Sequence, residues 1–206
     1  MYPGTIAFQR FEYPSRLPES AQRNVERVAC RALEAIGFDH GLFNVELFWR
    51  PRDGAITIIE INPRLAAQFA DLYEKVDGTN PYGVLADLAV GREPRWIRRA
   101  GRYGAAASFV FREFDGAIKV APRRAEIRWL QGREPDACLQ TFIKRGNSRG
   151  REMKWVGSYR YATVNLGGRD REDLFRRYDS VCANLAFERP ARLAFGGTLD
   201  ALRPER

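Results

Sequence analysis

Two short runs decide how this chain reads. They are Phe43-Asn44-Val45-Glu46-Leu47 and Ile58-Ile59-Glu60-Ile61-Asn62-Pro63-Arg64, joined across Arg52-Asp53-Gly54. Their β-branched and aromatic content suits the two strands of a hairpin. Each nonetheless places acidic or amide side chains inside an apolar run. A charge removed from water without a partner is costly, so a carboxylate in that setting asks for compensation. A divalent cation supplies it. Mg²⁺ takes oxygen ligands and is commonly held by one or two carboxylates, while nucleotide phosphates complete its shell. The plainer alternative is that these acids are only the solvated face of an amphipathic hairpin.

The spacing bears on the choice. Side chains alternate along a strand, so Asn44 and Glu46 share one face while Phe43, Val45, Leu47 and Trp49 share the other. Strict alternation in the second run groups Ile56, Ile58, Glu60 and Asn62. The carboxylates converge only if Glu46 and Glu60 stand nearly opposite each other. That demands an odd connection, with Gly54 left-handed as a bulge in the loop. A slip of one residue sends them to opposite faces. Pro63 ends the second strand, and Arg64 then offers a planar fork of donors suited to an anion.

With these motifs in view, residues 13–91 resemble the C-terminal half of an ATP-grasp domain of the carboxylate–amine ligase kind. The matching pieces, in order, are Tyr13-Pro14-Ser15, Ala35-Ile36-Gly37-Phe38-Asp39-His40-Gly41, and the Asn44-Val45-Glu46 strand. Glu60-Ile61-Asn62-Pro63-Arg64, Asp77-Gly78-Thr79-Asn80 and Leu88-Ala89-Val90-Gly91 complete the set. The resemblance implies that Glu46, Glu60 and Asn62 bind Mg²⁺ (or Mn²⁺) bridging the ATP phosphates. It implies that Arg64 contacts the acyl phosphate or the substrate carboxylate. The implied reaction joins a small carboxylate, such as an amino acid, to an amine through an acyl phosphate, releasing ADP.

Members of that family place an N-terminal and a central domain before this point, where lysines and a glycine-rich loop clamp the nucleotide. Here the four lysines, Lys75, Lys119, Lys144 and Lys154, all follow the Glu46 strand. The resemblance therefore implies a half-site, incomplete and inactive alone, with a missing-domain partner chain or a homodimer as its partner. The alternative is a non-catalytic remnant that binds metal or nucleotide without turnover. His40, the single histidine, sits just before the metal strand, where an imidazole could handle the proton of an incoming amine. A structural role for it is the competing reading.

Composition sets the outer limits. With 206 residues and 45% hydrophobic content the chain can bury a core as one domain or two small ones. No run reads as a membrane span or a signal peptide. Cys30, Cys138 and Cys182 show no paired metal spacing and read as free thiols of a cytoplasmic protein. The net charge of +8 raises nucleic-acid binding as a second function class. Its arginines are spread along the chain, with clusters at Arg95-Trp96-Ile97-Arg98-Arg99, Pro122-Arg123-Arg124 and residues 144–151. Solvated basic loops explain these more simply, and an acidic partner is a further reading.

The expected fold class is α+β: an antiparallel sheet with packed helices over residues 1–98, a small β-rich module over 99–188 with a closing helix, and a tail over 189–206. Helices are expected at 19–36 (Ser20 as N-cap, Gly37 as terminator), 65–76, 82–90 and 171–187. In the first module Leu65, Phe69 and Leu72 would pack against the sheet. Strands beyond the hairpin are expected at 105–112, 117–121, 125–130, 138–144 and 158–166. Phe114-Asp115-Gly116 and Gly167-Gly168 read as turns.

Overall fold

A computed structural model describes residues 5, 7–114, 121–143 and 157–185. Six strands and five helices run through them: β1 (Arg10–Tyr13), α1 (Glu19–Ala35), β2 (Asn44–Trp49), β3 (Ile56–Asn62), α2 (Ala67–Asp77), α3 (Pro81–Ala89), β4 (Ala105–Glu113), α4 (Arg124–Arg133), β5 (Cys138–Thr141), β6 (Tyr159–Gly168) and α5 (Arg171–Asn184). One sheet has the order β1-β4-β6-β5, and β2 and β3 form a separate two-stranded sheet. The class is α+β, as expected. The 117–121 strand, the basic run 144–151 and the tail fall wholly or mostly outside the described residues. None of the helices described is long and apolar enough to cross a membrane.

The chain divides into two compact units. One comprises Glu12–Ser108 and Asn165–Leu174, the other Met1–Phe11, Phe109–Val164 and Phe175–Arg206. In the first, Leu72 and Val76 of α2 pack with Ala106 of β4, joined by Tyr13 and Phe69. Leu72 and Phe69 thus take the inward places expected of them, while Leu65 precedes the helix and is half-buried. Gln68 Nε2 donates to Ser108 Oγ at 3.0 Å, and Asn165 Nδ2 donates to the Gln68 carbonyl at 3.0 Å. In the second unit Phe109 stacks on Tyr178 of α5 with ring centroids 3.9 Å apart. Tyr178, Val181 and Leu185 are buried, on the inward stripe that helical spacing gives α5. Glu134, also buried, accepts from Arg177 Nε at 2.7 Å. A buried acid is tolerable only when it is paired in this way.

Several local expectations need correction. Residues 125–130 form part of helix α4 and not a strand. The sequence Ala125-Glu126-Ile127-Arg128-Trp129 alternates by chance, but Glu126 accepts from the Arg123 backbone N–H at 2.6 Å and nucleates a helix start. Gly167 and Gly168 are not a turn but the end of β6. A Cβ on Gly167 would lie 2.3 Å from the Tyr103 ring, so close packing explains the glycine. Helix α1 starts after Pro18 with no side-chain cap, so Ser20 is not its N-cap. Gly37, with φ of 71°, does terminate it. Strand β1 had no counterpart in the sequence reading.

Candidate functional site

The β2–β3 hairpin carries the acids. Its strands are antiparallel, with Asn44 opposite Asn62, Val45 opposite Ile61 and Glu46 directly opposite Glu60. Beyond that point the pairing shifts: Leu47 faces Ile58, Phe48 faces Thr57 and Trp49 faces Ile56. Ile59 is therefore the extra residue, a β-bulge. The connection itself is even, closed by Arg50 N donating to the Ala55 carbonyl at 2.8 Å and Gly54 N to the Arg50 carbonyl at 2.8 Å. Gly54 is left-handed at φ 69°, as the turn chemistry suggests. Arg50 Nε and Asp53 Oδ1 pair across the turn at 2.8 Å, which lowers the Asp53 carboxyl; its bond from the Ala55 N–H adds to the effect.

The bulge, and not the loop, supplies the odd residue, and this corrects the grouping of side chains. Strict alternation put Glu60 and Asn62 with Ile56 and Ile58. Across the bulge the face switches. Val45, Leu47, Trp49, Ile56, Ile58 and Ile61 now form one apolar, half-buried face. The other presents Asn44, Glu46, Glu60 and Asn62, with Phe48 60% and Ile59 51% exposed beside them. Asn24 Nδ2 of α1 reaches the Gly54 carbonyl at the hairpin tip, at 3.5 Å.

On the acid face the side chains form a short relay. Asn62 Nδ2 donates to Glu60 Oε1 at 2.7 Å, and Arg64 Nη2 donates to Asn62 Oδ1 at 3.2 Å. Arg64 N also bonds the Asn62 carbonyl at 2.8 Å, which turns the chain out of β3. Glu60 and Arg64 are exposed, and Glu46 and Asn62 half-exposed. His40 is exposed in the bend before β2, and no hydrogen bond or ion pair among the described residues ties it to this face. The structure thus brings Glu46, Glu60, Asn62 and Arg64 together.

The donor set tests whether a hard cation fits. All candidate ligands are oxygens, the chemistry Mg²⁺ selects. Two carboxylates directly opposite on neighbouring strands repel, an arrangement that destabilises a hairpin unless a cation lies between them. Two acids and one amide make a partial shell. Among the described residues no group of three or more His, Cys, Asp or Glu gathers to hold a metal. The set fits an ion whose remaining ligands are water and phosphate. It does not fit an all-protein cage.

A third carboxylate is marked in the sequence only as part of the Asp77-Gly78-Thr79-Asn80 motif. Asp77, the last residue of α2, is 1% exposed. Its Oδ2 accepts from Tyr13 Oη at 2.6 Å and Trp96 Nε1 at 2.9 Å, and its Oδ1 from the Arg99 N–H at 2.8 Å. Burial raises the Tyr13 phenol above its ordinary value, and the bond to Asp77 raises it further. Tyr73 is raised by burial and by the Asp77 charge. A signal was available: an acid at a helix C-terminus opposes the macrodipole, so it asks for another reason to be there. None of the three cysteines is joined in a disulfide among the described residues; Cys30 is exposed and Cys182 buried.

No family model matches the chain. It is 27% identical over 192 residues to the carbamoyl phosphate synthase large chain of Ralstonia nicotianae, a match covering 91% of this chain and 17% of that protein. Among solved structures it is similar to N5-carboxyaminoimidazole ribonucleotide synthetase of Thermus thermophilus, with a TM-score of 0.60, 18% identity, and coverage of 89% of this chain and 44% of that one. The phosphoribosylglycinamide synthetase of Anaerococcus prevotii gives 0.63 at 15% identity, and the L-amino acid ligase of Bacillus licheniformis 0.62 at 13%. In both cases 87% of this chain matches 45% of the other. The chain therefore spans under half the length of these proteins, and a far smaller share of the synthase. Its fold is that of part of an ATP-grasp domain.

Proposed function

We propose that the chain supplies the acidic half of a Mg²⁺-ATP site in a cytoplasmic, ADP-forming carboxylate–amine ligase. One observation carries the reading: Glu46 stands directly opposite Glu60, with Asn62 and Arg64 following on the same face. Glu46, Glu60 and Asn62 would hold Mg²⁺ (or Mn²⁺), which when bound offsets the charge of the nucleotide phosphates. Asn62 orients both neighbours, donating to Glu60 and accepting from Arg64. The Arg64 guanidinium keeps donors free to hold a carboxylate or phosphoryl oxygen and to stabilise charge developing there. His40, the single histidine of the sequence, would take the proton from an incoming amine. Cations facing the nucleotide from the other side would come from another segment of polypeptide, in a partner chain, a second copy or the same chain.

The test is calorimetric titration of the chain with Mg²⁺-ATP beside Glu60→Ala, with Mn²⁺ binding followed by electron paramagnetic resonance. Saturable binding weakened by about tenfold or more in the variant supports the half-site. Equal titrations, or no binding to a folded wild-type sample, overturn it.

A further inference from the structure

One sequence feature is not absorbed by the acid face. The loop from Arg92 to Arg102 carries Arg92, Arg95, Arg98, Arg99 and Arg102, all of them exposed. Charge-rich surface loops are ordinarily loosely held. This one is fixed at several points along its backbone. The Arg99 N–H and the Trp96 indole both donate to the buried Asp77 carboxylate. Gly101 N bonds the Val76 carbonyl at 2.9 Å, and Tyr103 N the Lys75 carbonyl at 3.0 Å. Gly101 approaches so closely that a Cβ there would lie 2.4 Å from the Lys75 oxygen. Arg99 holds φ at 60°, a conformation an arginine adopts only when its surroundings impose it, and such strain gathers at functional positions.

Beside the loop lies an open groove of about 500 Å³, lined by Thr79, Val84, Ile97, Ala100 and Arg95 together with acids already engaged. Asp77 is saturated, and Asp87 is 3.6 Å from Arg92. No ion pair with a described residue occupies Arg95, Arg98 or Arg99. The surface therefore combines cations carried on a fixed backbone with a partly apolar trough.

We propose that this loop and groove form a docking surface for an acidic polypeptide segment bearing apolar side chains. Charge complementarity selects an acidic partner. The apolar lining from Val84, Ile97 and Ala100 accepts side chains. The apolar lining favours a polypeptide over a nucleic acid, while Trp96, 38% exposed, is held in place by its indole bond to Asp77 and its edge-on contact with Tyr73, centroids 5.4 Å apart. A backbone fixed in advance also reduces the ordering that binding would require. This surface is independent of the acid face and does not rest on the ligase reading.

The experiment measures fluorescence anisotropy of a labelled peptide of alternating Glu and Leu, beside a labelled oligothymidylate of equal charge. The proteins are the wild type, Arg95→Glu/Arg98→Glu and a control, Arg124→Glu/Arg128→Glu, whose arginines lie exposed on α4. The expected result is saturable peptide binding, weakened roughly tenfold or more in the loop variant and within about twofold of wild type in the control. Amide hydrogen exchange of the wild type should show added protection at 92–102 with the peptide, a readout that stands even if the loop variant fails to fold. Equal losses in both variants, tighter binding of the oligothymidylate, or no peptide binding with no added protection would each overturn the proposal.

Discussion

Asp77 and the Glu46–Glu60 pair place carboxylates in the same compact unit and treat them in opposite ways. Asp77 is removed from water and saturated by a phenol, an indole and a backbone N–H. Glu46 and Glu60 sit on a half-exposed hairpin, face to face with a like charge, and among the described residues Glu60 is met only by the neighbouring Asn62 amide. A fully satisfied buried acid holds structure. An acid pair left unsatisfied at the surface keeps its oxygens available for a ligand. Satisfaction of the carboxylate, more than burial alone, separates the two roles.

The strongest way to break the contrast is to remove Asp77. Asp77→Ala would strand three donors in and around a buried site, each lost partner costing about 1 kcal/mol or more. The expected loss is about 3 kcal/mol of unfolding free energy, measured by urea denaturation, with the m-value unchanged. A loss below about 1 kcal/mol would mean that water replaces the carboxylate and that the loop does not depend on it.

Tyr13→Phe probes the same hub more gently, removing one hydrogen bond to a charged acceptor at a cost of about 1.5 kcal/mol. It also tests a pH dependence. Burial, and then the bond to Asp77, raise the folded phenol above the ordinary tyrosine value of 10. The unfolded phenol ionises first as pH rises. Stability from this group is thus complete below pH 10 and lost above it, as the unfolded state sheds a proton that the folded state keeps. The wild type should lose stability above pH 10 more steeply than Tyr13→Phe, which keeps only the contribution of Tyr73. Parallel curves would show Tyr13 to be ordinary.

Much of the hairpin was legible because its information is local. Alternation marks both strands, Pro63 ends one, and the Glu-x-Asn spacing puts two oxygens on one face whatever the register. The bulge was not legible. Ile58-Ile59 gives no sign of which isoleucine is extra, and only pairing with β2 decides it. Helix α4 misled because period two and period 3.6 overlap over six residues, and the deciding signal was Glu126 three residues past the N-cap. Gly167 is a packing glycine, and its neighbour, Tyr103, is distant in sequence. The Asp77 hub depends on Tyr13, Trp96 and Arg99, which no periodicity links. Motifs carried by one strand can be read directly. Sites assembled by return of the chain cannot.

The smallest expected effect separates the two carboxylate environments most clearly, because it has the unusual sign. Glu60→Gln keeps the shape of the side chain and an oxygen for the Asn62 amide, but removes the charge opposite Glu46. Like charges directly paired across strands destabilise by about 0.2–1 kcal/mol, so without metal the variant should be more stable than wild type by about 0.5 kcal/mol. Adding Mg²⁺ should then raise the melting temperature of the wild type and leave the variant nearly unmoved, since ligands stabilise only the state that binds them. The order of stabilities would narrow or invert. At Asp77 no such inversion is available: Asp77→Asn lowers stability with or without metal, because its charge has donors around it and no like charge against it. If Glu60→Gln were instead destabilising in metal-free buffer, the pair would be a structural feature of the hairpin, and its tie to a cation would be lost.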